Sequence, residues 1–177
     1  MNSLIRALLG VAITLVQGCA TMKPRDFDAG RPLFDPTKFF AGQTTSFGVM
    51  ESRRGMPKQV VRTGTTGTWE GDTLRLEQDL WLGESKPQRR SWRIRKLDAH
   101  RYEGTANDLV GTVRGEAYGN VFHWSFMLAL SPGNPLANVR MTQWMYSQPD
   151  GRTMVNHSTI TKSGIVVAQV TEQFRKR

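Results

Sequence analysis

Few groups in this sequence have the chemistry of a reactive site. They are one thiol, Cys19, three imidazoles, His100, His123 and His157, and acids scattered along the chain. A histidine that binds metal or activates a nucleophile needs a second ligand or a base partner nearby. None of the three has a carboxylate at ligand spacing, and one cysteine permits neither an intramolecular disulfide nor a multi-cysteine zinc site. The chain contains no Gly-x-Ser-x-Gly elbow, P-loop, Rossmann glycine pattern or His-Glu-x-x-His. The expectation is a chain that is not an enzyme and uses no metal and no cofactor. Asp108 is the acid in the most demanding setting, because it falls in step with Tyr102, Gly104 and Ala106. A carboxylate on an inward face is costly unless paired, so Asp108 either anchors a hydrogen-bond network or a ligand, or satisfies backbone groups before Gly111.

The elements that carry these residues start with a targeting segment. Met1–Arg6 is a short basic start, and Ala7–Val16 follows with Thr14 as its only polar residue. Ten residues span roughly 15 Å as a helix, about half of a bilayer core, which suits a secretory signal better than a membrane span. Val16-Gln17-Gly18-Cys19 then resembles the lipobox of bacterial lipoproteins. The resemblance implies cleavage after Gly18 and lipidation of Cys19. Ala20 and Thr21 stand where an aspartate favours the inner membrane in the enteric pattern, so the implied location is the outer membrane, facing the periplasm. Residues 1–18 are thus expected as a signal peptide, 19–38 as a lipidated tether interrupted by Pro24, Pro32 and Pro36, and 39–177 as the folded domain. A chain starting near Thr37 is expected to fold.

The domain reads as ten short strands separated by Gly, Pro, Asn and Asp: 42–50, 60–69, 73–82, 90–97, 101–109, 112–118, 121–130, 137–146, 153–161 and 165–174. Alternation puts Leu74, Leu76, Gln78, Leu80 and Leu82 on one face. Trp92 and Ile94 share another, as do Phe122, Trp124, Phe126 and Leu128, and Val139, Met141, Gln143 and Met145. Consecutive strands on short connections favour an all-β, antiparallel up-and-down barrel, since closure removes exposed edges. A two-sheet β-sandwich is the alternative.

Two resemblances fit that architecture. Gly67-Thr68-Trp69 before a charged hairpin resembles the Gly-x-Trp of lipocalins and other calycins. A longer pattern is similar to a family of bacterial lipoproteins known as domain of unknown function 3833. It runs through Phe40-x-Gly42, Gly71-Asp72, Arg90-x-Trp92, Tyr102-x-Gly104-x-Ala106-x-Asp108, Gly119-Asn120, Trp144-Met145-Tyr146, Asn156 and Lys162-x-Gly164. Where that pattern carries two acids before the last tryptophan, this chain has Thr142 and Gln143. The resemblance implies a lipocalin-like barrel and no particular activity.

Net charge is +9, and removal of residues 1–18 takes away Arg6 and no acid. In an exported, lipid-anchored chain such a balance points to anionic headgroups or cell-wall polymers, with no nucleic acid as partner. The basic stripe Arg89, Arg90, Arg93, Arg95 and Lys96 is expected on the outer face, and Glu77 is expected to pair with Arg93 or Arg95. The expected cavity residues are Trp92, Asp108, Trp124, Phe126, Trp144 and Asn156, with Gln143 and Ser158 as further polar points. Gly104 and Ala106 are expected to leave room beside the tryptophans. A fatty acid or other apolar ligand would then bind with its charged head at the rim, near Arg140 or Arg114. The alternative is an envelope accessory protein that acts through protein contacts and holds no ligand.

Overall fold

The computed structural model describes residues 21–131 and 133–177. The lipidation motif with Cys19 lies outside the described residues. Ten strands run in chain order: β1 (Gly42–Ser52), β2 (Pro57–Glu70), β3 (Thr73–Leu82), β4 (Gln88–Lys96) and β5 (Arg101–Ala106). They continue as β6 (Val113–Tyr118), β7 (Val121–Leu128), β8 (Val139–Ser147), β9 (Thr153–Lys162) and β10 (Ile165–Lys176). Every strand pairs antiparallel with its sequence neighbour, and β10 pairs with β1, so the sheet closes into an up-and-down barrel. The sandwich alternative is thereby excluded. All ten expected strands are present; β5 ends at Ala106 rather than Leu109, because Asp108 and Val110 leave β6 and bond the β7 edge at Ala129 and Met127.

Up-and-down order gathers the β2–β3, β4–β5, β6–β7 and β8–β9 turns at one end of the barrel and the β1–β2, β3–β4, β5–β6, β7–β8 and β9–β10 turns at the other. The first end is closed. A short helix, α1 (Pro36–Phe40), lies there, and Phe34, Phe39 and Phe40 stack edge-on down to Phe174. Asp35 caps α1 by accepting from the Thr37 and Lys38 amides, and Lys96 Nζ donates to its other oxygen at 2.8 Å. At the opposite end of α1, Lys176 Nζ donates to the carbonyls of Lys38, Phe39 and Ala41. Gly67 makes the close approach possible, since a Cβ there would stand 2.0 Å from the Phe40 carbonyl oxygen.

This end corrects the expectation for the tether. Phe34, Pro36 and Thr37 are buried, and further upstream the Phe27 ring packs on Trp144 and Tyr146 of β8. Residues 27–38 are a plug fastened to the barrel. Losing a buried phenylalanine costs about 3–5 kcal/mol and losing an N-cap about 1. A chain that starts at Thr37 should therefore unfold at a denaturant concentration lower by the equivalent of about 4 kcal/mol than one that starts at Thr21. Equal midpoints would show that the plug adds nothing.

Candidate functional site

The inner wall is not filled by side chains. Below the open end lies a cavity of about 180 Å³, lined by Met50, Val61, Leu80, Leu82, Leu128, Met141, Ile160 and Val170 toward the mouth. Toward the floor it is lined by Phe40, Leu76, Trp92, Ile94, Trp124, Met145 and Phe174. A single water needs only about 10–15 Å³ by the same measure, so the space admits a ligand many atoms long. The polar lining consists of Thr63, Gln78, Gln88, Arg90, Gln143 and Glu172.

Alternation builds the floor. Trp92 on β4 and Trp124 on β7 stack with centroids 5.0 Å apart and planes 14° apart. Phe126 meets both rings edge-on and Phe122 meets Trp124. Trp92, Trp124 and Phe126 are each 5% exposed. From this stack a hydrogen-bonded belt crosses the wall. Trp124 Nε1 donates to Gln143 Oε1 at 2.7 Å, and Gln143 Nε2 donates to Ser158 Oγ at 3.1 Å. Asn156 Nδ2 donates to Ser158 Oγ at 2.9 Å and to Glu172 Oε2 at 3.3 Å. Ser46 Oγ donates to Glu172 Oε1 at 2.9 Å, and Thr63 lies 2.7 Å from Ser46. The belt joins β7, β8, β9, β10, β1 and β2.

Glu172 is the central member. It is 6% exposed, and burial pushes its carboxyl above the ordinary glutamate range; the bonds from Ser46 and Asn156 and the charge of Arg90 oppose that shift without cancelling it. Its room comes from Gly48, directly opposite on β1, where a Cβ would stand 2.6 Å from Glu172 Cγ. Arg90 lies over the Trp92 ring at 5.8 Å and is held by Asp108, which accepts from its Nε at 2.7 Å and from Nη2 at 2.6 Å.

The expected site residues divide. Trp92 and Trp124 line the cavity, Phe126 packs edge-on against them without lining it, and Asn156 is buried in the belt rather than in the open space. Asp108 does not line the cavity; the chain leaves the β5 alternation after Ala106, and its carboxylate orients Arg90 instead. Trp144 points to the outer wall, where it packs on His123 and Phe27, as its step with Arg140 and Thr142 requires. Trp69 and Trp81 also lie off the cavity. Gly104 does not line the cavity; Val113 and Trp124 stand at van der Waals distance from where its Cβ would be. Arg114 and Arg140 are exposed on outward positions and meet nothing in the cavity.

The basic stripe lies on the outer face as expected at Arg89, Arg93, Arg95 and Lys96, and departs from it at Arg90. Arg93 pairs with Glu70, Arg95 with Glu103, Lys96 with Asp35, and Arg89 with both Glu77 and Asp79. Glu77 takes Arg75 and Arg89 instead of Arg93 or Arg95, since Ser91 is its cross-strand neighbour. Arg90 turns inward. Its step with Trp92 and Ile94 signals this, just as the step of Glu172 with Val170 and Phe174 places that acid inside. Among the described residues no group of three His, Cys, Asp or Glu could hold a metal ion, and no helix is long and apolar enough to cross a membrane.

The raised Glu172 carboxyl makes stability depend on pH. An acid whose carboxyl is raised in the native state binds more protons there than in the unfolded chain, so its contribution is full below the ordinary glutamate value and is lost as pH rises through the native one. The wild type should lose stability as pH rises above the ordinary glutamate range, and Glu172→Gln should lose less across the same span, read from urea midpoints. Parallel curves for the two chains would contradict this.

Comparison with known proteins places this geometry. The family described as Protein of unknown function (DUF3833) matches residues 13–176, and the chain belongs to that family. No curated protein matches. Among solved structures, the S-type phycobiliprotein lyase CPES from Guillardia theta superposes with a TM-score of 0.62 at 8% identity, covering 88% of this chain and 98% of the other. That likeness is one of fold: a lipocalin-like barrel.

Proposed function

We propose that this member of the DUF3833 family is a lipid-anchored carrier that binds an amphiphile, a lipid or another apolar molecule, inside its barrel. It acts by binding rather than by catalysis. The observation that carries the reading is the cavity itself, apolar around its mouth and polar at a few fixed points. Sites for small molecules are built in this way, mostly apolar with a small number of oriented polar groups. The lyase-like neighbour supports it to the extent that a barrel of the same shape serves a ligand-handling protein. Burying about 300 Å² of chain at roughly 25 cal/mol per Å² gives about 7 kcal/mol before association costs, which sets a ceiling near micromolar affinity.

Anchoring follows from the order of basic start, apolar run, glycine and sole cysteine: Cys19 carries the lipid and fixes the chain to the outer membrane on the periplasmic side. Several acyl chains at about 0.8 kcal/mol per methylene hold a protein at a membrane effectively permanently. Proximity to a bilayer then supplies the amphiphile.

The test is a titration of residues 21–177 with amphiphiles of increasing chain length, following the emission of Trp92 and Trp124. Saturable binding at micromolar concentration is expected, with Leu80→Trp, which fills the cavity, weakening it tenfold or more. In cells, Cys19→Ser should leave the signal uncut and abolish acylation. No saturable change at any chain length would leave the ligand-free accessory reading, and an unchanged N-terminal mass in Cys19→Ser would remove the anchor.

A further inference from the structure

We infer that the rim around the cavity mouth is a docking surface for an anionic phospholipid bilayer. The inference concerns the outside of the open end and does not depend on what the cavity holds. Four of the five connections at that end hold large aliphatic side chains in solvent. They are Met56 between β1 and β2, Val110 between β5 and β6, Leu130 and Leu136 between β7 and β8, and Ile165 at the start of β10. Their exposure runs from 54% at Val110 to 84% at Leu136. Single exposed aliphatics are ordinary, but a set of them around one opening marks a surface that another apolar phase covers. Leu130 also lines the cavity, so this set adjoins the cavity wall.

Charge identifies the partner. Interleaved with the aliphatic groups are Arg53 and Arg54 in the β1–β2 turn, Lys58 early in β2, Lys86 in the β3–β4 turn and Lys162 at the end of β9, all exposed. Among the described residues none of these five forms an ion pair. The acids in and beside the same turns are Glu51, Glu84 and Asp108, and Asp108 is already taken by Arg90. At the closed end the strand-connecting turns carry Asp72, Asp98 and Asp150 against Arg152. Lys96 and Arg101, which border the β4–β5 turn, are paired with Asp35 and Asp98. The barrel therefore has unpaired cations and aliphatic groups together at its mouth, and acidic turns at its plug. Lysine and arginine meet lipid phosphates while aliphatic side chains pass between the headgroups, which is how interfacial segments bind anionic membranes. A protein partner would have to match the shape of several separate turns, whereas a fluid bilayer accepts each side chain where it stands. The N-terminal segment does not obstruct the rim, because residues 24–27 rest on β6 and β7 and Phe27 packs on Trp144 in the closed half of β8. Docked in this way, the mouth opens onto lipid rather than water.

The test uses the full chain with Cys19→Ser, so that one introduced cysteine is its sole thiol. It is reconstituted into vesicles of phosphatidylcholine, alone or with one third phosphatidylglycerol. A fluorophore whose emission moves to the blue in apolar surroundings is attached through Leu136→Cys at the mouth or Leu97→Cys at the closed end. The Leu136→Cys probe is expected to shift in the anionic vesicles and not in the neutral ones, and to return to its aqueous emission at about 0.5 M salt. The Leu97→Cys probe should keep its aqueous emission in both. Arg53→Glu with Arg54→Glu should lower the shifted fraction at least fivefold, while Asp72→Lys, which adds positive charge at the other end, leaves it unchanged. Equal emission from Leu136→Cys in the two vesicles, or an equal shift from Leu97→Cys, would overturn the inference. A shift produced by soluble polyglutamate and not by anionic vesicles would also overturn it and assign the rim to an acidic polypeptide. Saturable amphiphile binding without any shift at the mouth would remove this inference and leave the ligand reading in place.

Discussion

A carboxyl group inside a closed barrel must be paired, hydrogen-bonded or neutral, and the interior of this protein is organised around that requirement at Glu172. Gly48 clears the space, Ser46 and Asn156 donate to the two oxygens, and Gln143, Ser158 and Thr63 extend the chain of bonds to neighbouring strands. Each such bond adds only about 0.5–1.5 kcal/mol, while leaving one buried partner unmet costs about 1–3. The belt therefore behaves as a unit: its members specify one register around the barrel more than they add to stability. It also divides the interior into an apolar collar above and an aromatic floor below.

The two ends of the barrel solve different problems. At one end, Asp35 and Lys176 clamp a five-residue helix that would be unstable alone, and its two phenylalanines, with Phe34 just before it, close the core. At the other, β5 and β6 are short, and the strand-like run at Asp108–Val110 crosses to β7. A bulge between Val166 and Ala168 further disturbs pairing on the β9–β10 side of the same end. Closure by aromatic packing at one pole and irregular pairing at the other leave a cavity with one direction of access.

Much of this was legible from residue order. Strict alternation from Leu74 to Leu82 and from Phe122 to Leu128 determines which side chains face inward, because a one-residue slip would expose the whole set. The failures have local causes. Asp108 follows the β5 alternation in sequence, but the strand stops at Ala106 and the chain turns to another partner. Arg90 and Glu172 occupy inward positions that the alternation does indicate, yet charge argues against placing them inside until their partners, distant by 18 and 126 residues, are known. The plug has no periodic signature; it is held by contacts to β2, β4 and β10, which no window of sequence contains.

The claim on which the functional account stands is that the cavity holds a lipid-like molecule, and native mass spectrometry of the chain purified under gentle conditions from cells that make it tests this most directly. The account predicts a one-to-one adduct that is lost on collisional activation and identified in the organic extract as a lipid or other amphiphile. A bare polypeptide mass, with an extract no richer in lipid than that of Leu80→Trp prepared alongside, would contradict it.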